Sequence, residues 1–500
     1  MRPLFNSPYF KTYFCLQLVF FLGRSVYAWI LPLSPQEAYY WVYTLHPDLS
    51  YFDHPPLTAY TIYPLTRLFG PQPFTIRLGG LLYFFGFGWV VFYLGKRIWN
   101  EQTGFLAALL IHLLPTFSIT ALTMTPDGPL LFFWTLALLL VLKALQENKG
   151  WYIGAGCSLG LALLSKYTAV FFPLSLFLFL MLSNDHRRHL KTAYPYLGLA
   201  LALLIFSPVV YWNYCHDWAS FAFQSSERAL EMGWFSLKEL VAFLGSQMGI
   251  LTPLVFWGLV WTIGLGLRRF FHPGLWEEKF LLSQGLPLVL FFTAVAFLEW
   301  VKINWLIPAY APLILLMVAY HQKQFFKQQW VYAWYARWVW ILAGLFFVLL
   351  HLWPLAPFIK VSSSLDTTTG WPELASEVDR HRPGFPGARE PFIFAWGHKT
   401  ASELRFYLKG RPPVQAQTVL GKKALAYDYW FDPAPLIGRD ALFVWSEFEN
   451  FPEEKSGLLE RYFERVEKLR PFTVYRGLHP LRTFYISRCY GYKGYAFTRP

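Results

Sequence analysis

A stretch of about twenty apolar residues is long enough, as a helix, to cross the roughly 30 Å hydrocarbon core of a bilayer. This chain carries such stretches one after another, near 12–33, 76–95, 103–122, 129–146, 151–164, 167–183, 194–213, 239–267, 280–300, 303–320 and 331–353. Inside a bilayer every backbone polar group must be satisfied within its own segment, so these stretches are expected to be helices. The pattern predicts a mainly α, polytopic transmembrane bundle of about eleven spans over residues 1–353. The fifth and sixth spans are short, and Ser165-Lys166 separates them. A lysine in mid-bilayer is expensive, so the chain is expected to break there, with one long tilted helix as the alternative. No small-residue cleavage site follows the first span, which therefore reads as a retained anchor.

Composition narrows the class further. Only 15% of the residues are charged and 20% are aromatic, against roughly 25% charged in an average soluble domain. That excludes a disordered chain, a collagen, a small disulfide-rich fold and a soluble nucleic-acid binder. Membrane lipids are the expected surroundings, and no nucleic-acid partner is expected. The four cysteines show no metal-ligand spacing.

Orientation follows from the basic loops, because Lys and Arg accumulate on the cytoplasmic side. They occur at Arg2 and Lys11, Lys96 and Arg97, Lys149, Arg187, Arg188 and Lys191, Arg268 and Arg269, and Lys323 and Lys327. These are alternate loops. The N-terminus is therefore expected inside and the C-terminus outside.

Past Trp353 the long apolar runs stop. Residues 371–380 and 399–408 read as helices, while 391–396, 441–445 and 483–489 have the length and apolar character of strands. Residues 354–500 are expected to form a small extracytoplasmic α/β domain.

The outer loops hold the residues that could do chemistry. The first, residues 34–75, contains Gln36-Glu37-Ala38-Tyr39-Tyr40-Trp41 and then Tyr51-Phe52-Asp53-His54-Pro55-Pro56. The others bring Asp127 in a Thr-Pro-Asp-Gly turn, Lys166, the pair His216-Asp217, and Lys302 with Asn304. Aromatic belts explain the Trp and Tyr at the interfaces. They do not explain why Glu37, Asp53, Asp127 and Lys166 fall on one side. A shared outward cavity for an anionic, partly lipidic substrate accounts for all four. A carboxylate there would take a proton from an acceptor hydroxyl. Lys166, or a divalent metal held by Asp53 and His54, would stabilise a departing phosphate. Several of these residues have plainer readings. Glu37 and Asp53 also suit solvated loop acids, Asp127 a turn, and His216 and Asp217 a helix cap. Tyr39 and Tyr40 suit packing of the loop more than contact with sugar.

Taken in order, "SPQEAYYW", "YFDHPP", "TPDGPLLFFW", "GLALLSKYTAVFF", "WNYCHDWASFAFQ" and "INWLIPAYAPL" resemble the bacterial branch of the protein-mannosyltransferase family. That branch is the family-39-like group that includes the aminoarabinose transferase of lipid A. The resemblance covers residues 12–320. It implies a GT-C fold and an active site built on the first outer loop. It also implies inverting transfer of a sugar from a polyprenyl-phosphate carrier to a lipid, glycan or protein acceptor in the cell inner membrane. On this resemblance Glu37, Asp53 and Asp127 are the candidate catalytic carboxylates. Gln36, Tyr39, His54, Lys166, His216, Asp217, Lys302 and Asn304 are candidate substrate contacts, Lys166 for the carrier phosphate. One departure matters: relatives carry Asp where this chain has Gln36, and an amide cannot accept a proton at neutral pH. Glu37 or Asp53 takes over that role, an already ionised acceptor makes it unnecessary, or activity is lost. Two other functions stay open at this point, a transporter or flippase for lipid-linked sugars and a non-catalytic envelope scaffold. A transporter should carry midplane charges and inverted repeats; no repeat is visible, and only Arg24 and His112 lie clearly within spans, away from their ends.

Overall fold

A computed structural model describes residues 7–227, 233–272, 274–325, 330–385, 390–449, 451 and 457–495. Arg2 and Lys327, used above for orientation, lie outside the described residues. The chain divides into two compact units. One comprises Met1–Trp29, His54–Thr61 and Arg77–His351; the other comprises Ile30–Asp53, Ile62–Ile76 and Leu352–Pro500.

The first unit is built of apolar helices and makes the chain a multi-pass membrane protein. Pro8–Ile30, Pro73–Ile98, Asp127–Gln146, Tyr194–Cys215, Trp276–Val295 and Trp330–Leu355 are each long and apolar enough to cross a membrane. Two further apolar helix pairs are sharply bent. Glu101–Leu113 meets Pro115–Leu122 at 72°, and Leu237–Leu251 meets Pro253–Arg269 at 110°. The expected spans 103–122 and 239–267 are thus helical but not straight. Proline is the reason in both, since it lacks an N–H and bars its predecessor from the helical region. Leu114 is accordingly extended, with ψ 136°, and Thr252 sits at φ 69°. Trp151–Ser165 ends where expected: Lys166 is extended, a 3-10 turn covers Tyr167–Val170, and Phe171–Leu182 resumes. The span expected at 303–320 begins as a turn, and its helix runs Ile307–Phe325.

Aromatic and aliphatic side chains such as Tyr13, Phe87, Phe117, Trp134 and Phe280 fill the core of this unit. Small residues set the closest approaches. A Cβ on Gly156 would lie 2.0 Å from the Gly198 carbonyl oxygen, and one on Gly198 would lie 2.3 Å from that of Tyr152. Helices Trp151–Ser165 and Tyr194–Cys215 therefore meet backbone to backbone, the use membrane proteins make of glycine. Arg24 bonds to His112: its Nη1 lies 2.8 Å from His112 Nδ1, and Nη2 donates to the His112 carbonyl at 3.0 Å.

The second unit is α/β. Its strands are β1 (Phe392–Ala395), β2 (Val414–Gln415), β3 (Ala441–Ser446), β4 (Phe463–Lys468), β5 (Phe472–Arg476) and β6 (His479–Tyr492). They form a mixed sheet in the order β2-β1-β3-β6-β4, with β5 also paired to β6. β1 runs parallel to β2 and β3, and the remaining pairs are antiparallel. Helix His398–Tyr407 is the crossover that a parallel β1–β2 pair requires. The three strands expected from sequence are β1, β3 and β6. β4 was not anticipated because its alternating Phe-Glu-Arg-Val-Glu-Lys leaves few apolar positions.

The first-loop segments Ile30–Asp53 and Ile62–Ile76 belong to this unit, and His54–Thr61 to the first. Helix Pro35–Tyr43 begins after Ser34 with proline in its first turn, a favoured start. Trp41 packs edge-on against Phe406, with ring centroids 5.0 Å apart. Helix Leu57–Phe69 follows the Pro55-Pro56 turn and carries Pro64 within it.

Candidate active site

Asp127 opens helix Asp127–Gln146, and Lys166 occupies the extended residue after Trp151–Ser165. The break frees the lysine from the helix ladder and points it at the acid. Lys166 Nζ lies 2.7 Å from Asp127 Oδ1, and Asn304 Nδ2 donates to Asp127 Oδ2 at 2.7 Å. Lys166 and Asp127 are 6% and 5% exposed, so the pair is held with little water around it. Both carboxylate oxygens already accept a donor. Asp127 is therefore better suited to fix the cation than to take up a proton. An ammonium has three donors, and this ion pair uses one of them.

Lys166 also lines an open cleft of about 1120 Å³ together with His54, Lys302, Phe171, Phe292 and Trp305. Two cationic side chains against one carboxylate, Glu299, beside aromatic walls suit a ligand that is anionic at one place and hydrocarbon elsewhere. Lys302 is exposed; Asn304 and Trp305 are half-buried.

In the second unit, helix Pro35–Tyr43 places Tyr39 and Tyr43 one turn apart on one face. Both phenols donate to Asp53 Oδ1, Tyr39 at 3.0 Å and Tyr43 through a short bond. Burial, followed by the Asp53 charge, pushes both phenols well above their ordinary pKa, so they remain donors at every physiological pH. Glu37 is fully buried, and its Oε2 accepts the Ser34 backbone N–H at 3.0 Å and the Ser34 hydroxyl at 2.9 Å. It forms the acidic end of a capping box. Gln36 Nε2 donates to the Tyr40 hydroxyl at 2.8 Å.

The structure thus brings Asp127, Lys166 and Asn304 together, and sets Lys302 and His54 on the cleft that Lys166 lines. It gathers Tyr39 and Asp53 as a second cluster, with Glu37 and Gln36 elsewhere on the same short helix. His216 stacks on the Trp212 ring at 3.9 Å and its Nδ1 lies 2.8 Å from the Trp212 carbonyl oxygen. Asp217 is exposed at φ 51°. The cap at this corner is made by Asn213, whose Oδ1 accepts the N–H groups of Ser220 and Phe221 at 3.1 and 3.2 Å.

Sequence reasoning did not single out Asn213, nor Phe171, Phe292 and Trp305 of the cleft. With 49 Phe and 23 Trp in the chain, no aromatic stands out by type. His398, Ala426 and Asp428 also passed unnoticed, because they lie nearly 400 residues from the helix they support. The four cysteines are all free thiols.

The divalent metal raised as an alternative to Lys166, at Asp53 and His54, has little to hold it. Among the described residues no three His, Cys, Asp or Glu side chains gather in ligating geometry. Asp53 Oδ1 is already engaged by two phenols. No step below runs through a metal.

Residues 53–212 match the family model described as dolichyl-phosphate-mannose-protein mannosyltransferase. The chain is 28% identical over 286 residues to the lipid A galacturonosyltransferase RgtD of Rhizobium johnstonii, covering 56% of this chain and 59% of that protein. The match therefore spans less than two thirds of the relative's length. Among solved structures, the fold is similar to ArnT from Cupriavidus metallidurans bound to undecaprenyl phosphate. That likeness has a TM-score of 0.62 at 17% identity and covers 95% of this chain and 97% of the other. It is also similar to the oligosaccharyltransferase AglB from Archaeoglobus fulgidus in complex with an inhibitory peptide and a dolichol-phosphate. There the TM-score is 0.55 at 12% identity, covering 87% and 70% of the two chains. The fold is the GT-C fold that these two structures share.

Proposed function

We propose that this GT-C chain is an integral-membrane glycosyltransferase that moves a sugar from a polyprenyl-phosphate carrier to an envelope acceptor, with inversion. The observation that carries the reading is the cleft. It sets Lys166, fixed by Asp127 and Asn304, and Lys302 beside Phe171, Phe292 and Trp305. A carrier phosphate would meet the cations and its isoprenoid the aromatic walls.

In the reaction the acceptor oxygen attacks the anomeric carbon from the face opposite the phosphate. The new C–O bond forms as the bond to the phosphate oxygen breaks, and the polyprenyl phosphate leaves with the electron pair. Lys166 and Lys302 balance the charge that grows on that leaving group. Asp53 is the carboxylate assigned to receive the acceptor's proton; an acceptor that is already ionised needs none. Glu37, enclosed in its capping box, is assigned to hold the helix that carries Tyr39. Gln36 contributes no proton transfer. His54 and Asn304 are assigned to binding, and His216 and Asp217 to the corner they build.

The relative's activity makes lipid A the first acceptor to test and galacturonic acid the first sugar. The proposed location is the inner membrane, with the N-terminus cytoplasmic and the 354–500 domain extracytoplasmic. Bonds that tie basic loops together support this orientation: Arg97 Nη2 to Glu147 at 2.5 Å, and Glu278 to Arg269 at 3.3 Å and Lys323 at 2.9 Å. A transporter would expose intramembrane charge to a path, whereas Arg24 and His112 are buried and bonded to each other.

Reconstituted protein given polyprenyl-phosphate galacturonic acid and lipid A should yield galacturonosyl lipid A by mass spectrometry. Sugar that crosses the vesicle membrane without a glycosidic product would replace this reading with the transporter.

A further inference from the structure

The role of the residues past Trp353 is the largest part of the molecule that the reaction leaves unused, and the second unit contains a direct route from them to Asp53. Tyr39 donates to Asp53 Oδ1 at 3.0 Å, and its own hydroxyl oxygen accepts the backbone N–H of Ala426 at 3.1 Å. Its ring lies 4.7 Å from that of His398 and stacks on Tyr427 at 6.2 Å, 11° from parallel. Tyr43, the second donor, meets the Trp430 ring edge-on at 5.6 Å.

The turn that presents the Ala426 N–H is itself held under strain. Leu425 sits at φ 55°, the left-handed region that an L side chain rarely adopts. Asp428 holds it in place: its Oδ1 accepts the Thr418 hydroxyl at 2.7 Å, and its two oxygens accept the Ala424 N–H at 3.0 and 2.9 Å. A strained residue maintained by a buried carboxylate marks a position the fold over-determines.

We infer that the C-terminal part of the chain is a positioning device for Asp53: the Asp428-held turn fixes the Tyr39 hydroxyl, and Tyr39 and Tyr43 together fix the carboxylate. This rests on the glycosyltransferase reading, in which Asp53 receives the acceptor's proton. Tyr39 and Asp428 are positioning residues and touch no reacting atom. A carboxylate free to rotate loses alignment with the acceptor, and a misalignment of this kind costs rate more than binding.

The test uses the full-length protein and polyprenyl-phosphate galacturonic acid with lipid A. Tyr39→Phe and Asp428→Ala should each lower kcat about tenfold, while KM for the donor stays within about twofold. Asp428→Asn should restore most of the rate, because its remaining carbonyl oxygen still accepts both bonds made at Oδ1. In an Asp53→Asn background, Tyr39→Phe and Asp428→Ala should have no further effect. Full additivity there, or a rise in donor KM with kcat unchanged, would overturn the inference. Amide hydrogen exchange over residues 33–53 supplies a readout that needs no turnover. It should rise in Asp428→Ala and return in Asp428→Asn. If wild-type protein transfers no sugar but this exchange pattern holds, the glycosyltransferase reading fails while the positioning route stands. If the exchange pattern is absent, the route itself fails.

Discussion

Replacing Lys166 with methionine removes a charge whose surroundings are known well enough to work the consequence through. A phosphate oxygen about 4 Å from Nζ gains about 4 kcal/mol at an effective dielectric near 20. Asp127 Oδ1 lies 2.7 Å from the same nitrogen. A phosphate on the far side of the lysine is then roughly 7 Å from that carboxylate and is repelled by about 2.4 kcal/mol. The pair as a whole is worth about 1.6 kcal/mol to the ligand, the difference of the two terms. Lys166→Met alone should therefore weaken polyprenyl phosphate binding by up to about a thousandfold, because the repulsion stays when the attraction goes. Adding Asp127→Asn should bring the loss back to about fifteenfold. Stability should follow the same order. The single variant leaves a buried carboxylate held by Asn304 but without its cation, a change that costs about 3–5 kcal/mol, and the double variant relieves it. The assay is titration of the detergent-solubilised protein with polyprenyl phosphate, with polyprenol as the phosphate-free control. Polyprenol affinity should not change in either variant. An equal loss for both ligands would mean that Lys166 only builds the cleft wall. A double variant that binds phosphate no better than the single one would refute the electrostatic argument.

Three other outcomes follow from particular contacts. Glu37→Gln should keep most of the transfer rate, since glutamine can also close a capping box, whereas Glu37→Ala should destabilise by about 1 kcal/mol in a thermal-shift measurement. Glu449, pushed up to about 7 by burial, binds its proton more tightly folded than unfolded. The second unit should therefore lose stability as pH rises from about 4.5 to 7, measured by limited proteolysis, and Glu449→Gln should remove that slope. Gly198→Leu should prevent folded protein from accumulating, because even a Cβ there meets the Tyr152 carbonyl at 2.3 Å; Gly245→Ala, with nothing within 4 Å, should be neutral or slightly stabilising by size-exclusion yield.

Much of the bundle was legible because its signals are local. A helix must satisfy its own backbone in lipid, so apolar length alone marked the spans, and Ser165-Lys166 marked a break that the structure contains. The bends at Leu114-Pro115 and Thr252-Pro253 were equally local, since proline had announced them, yet apolar length hid them inside continuous runs. The site was legible in its residue types and not in its pairings. Asp127 and Lys166 both stood out as outer charges. That they bond each other, and that Asn304 completes the set, depends on segments up to 177 residues apart. Glu37 looked like a catalytic acid because sequence shows a carboxylate and not what surrounds it. The capping box became visible only once Ser34 had a backbone conformation.

The sequence by itself determined the environment, since about one residue in seven carrying charge and a succession of twenty-residue apolar runs leave only a bilayer as solvent. It also determined which few polar residues stood apart from that background. The tertiary structure alone decided how they are used. It paired Asp127 with a cation, closed Glu37 into a capping box with Ser34, and set Asp53 against two phenols, one of which is held by a backbone amide nearly 400 residues away. The division has a physical cause. Partition into lipid is a sum over neighbouring residues, whereas the role of a carboxylate is set by the two or three donors that close around it, and those arrive from anywhere in the chain.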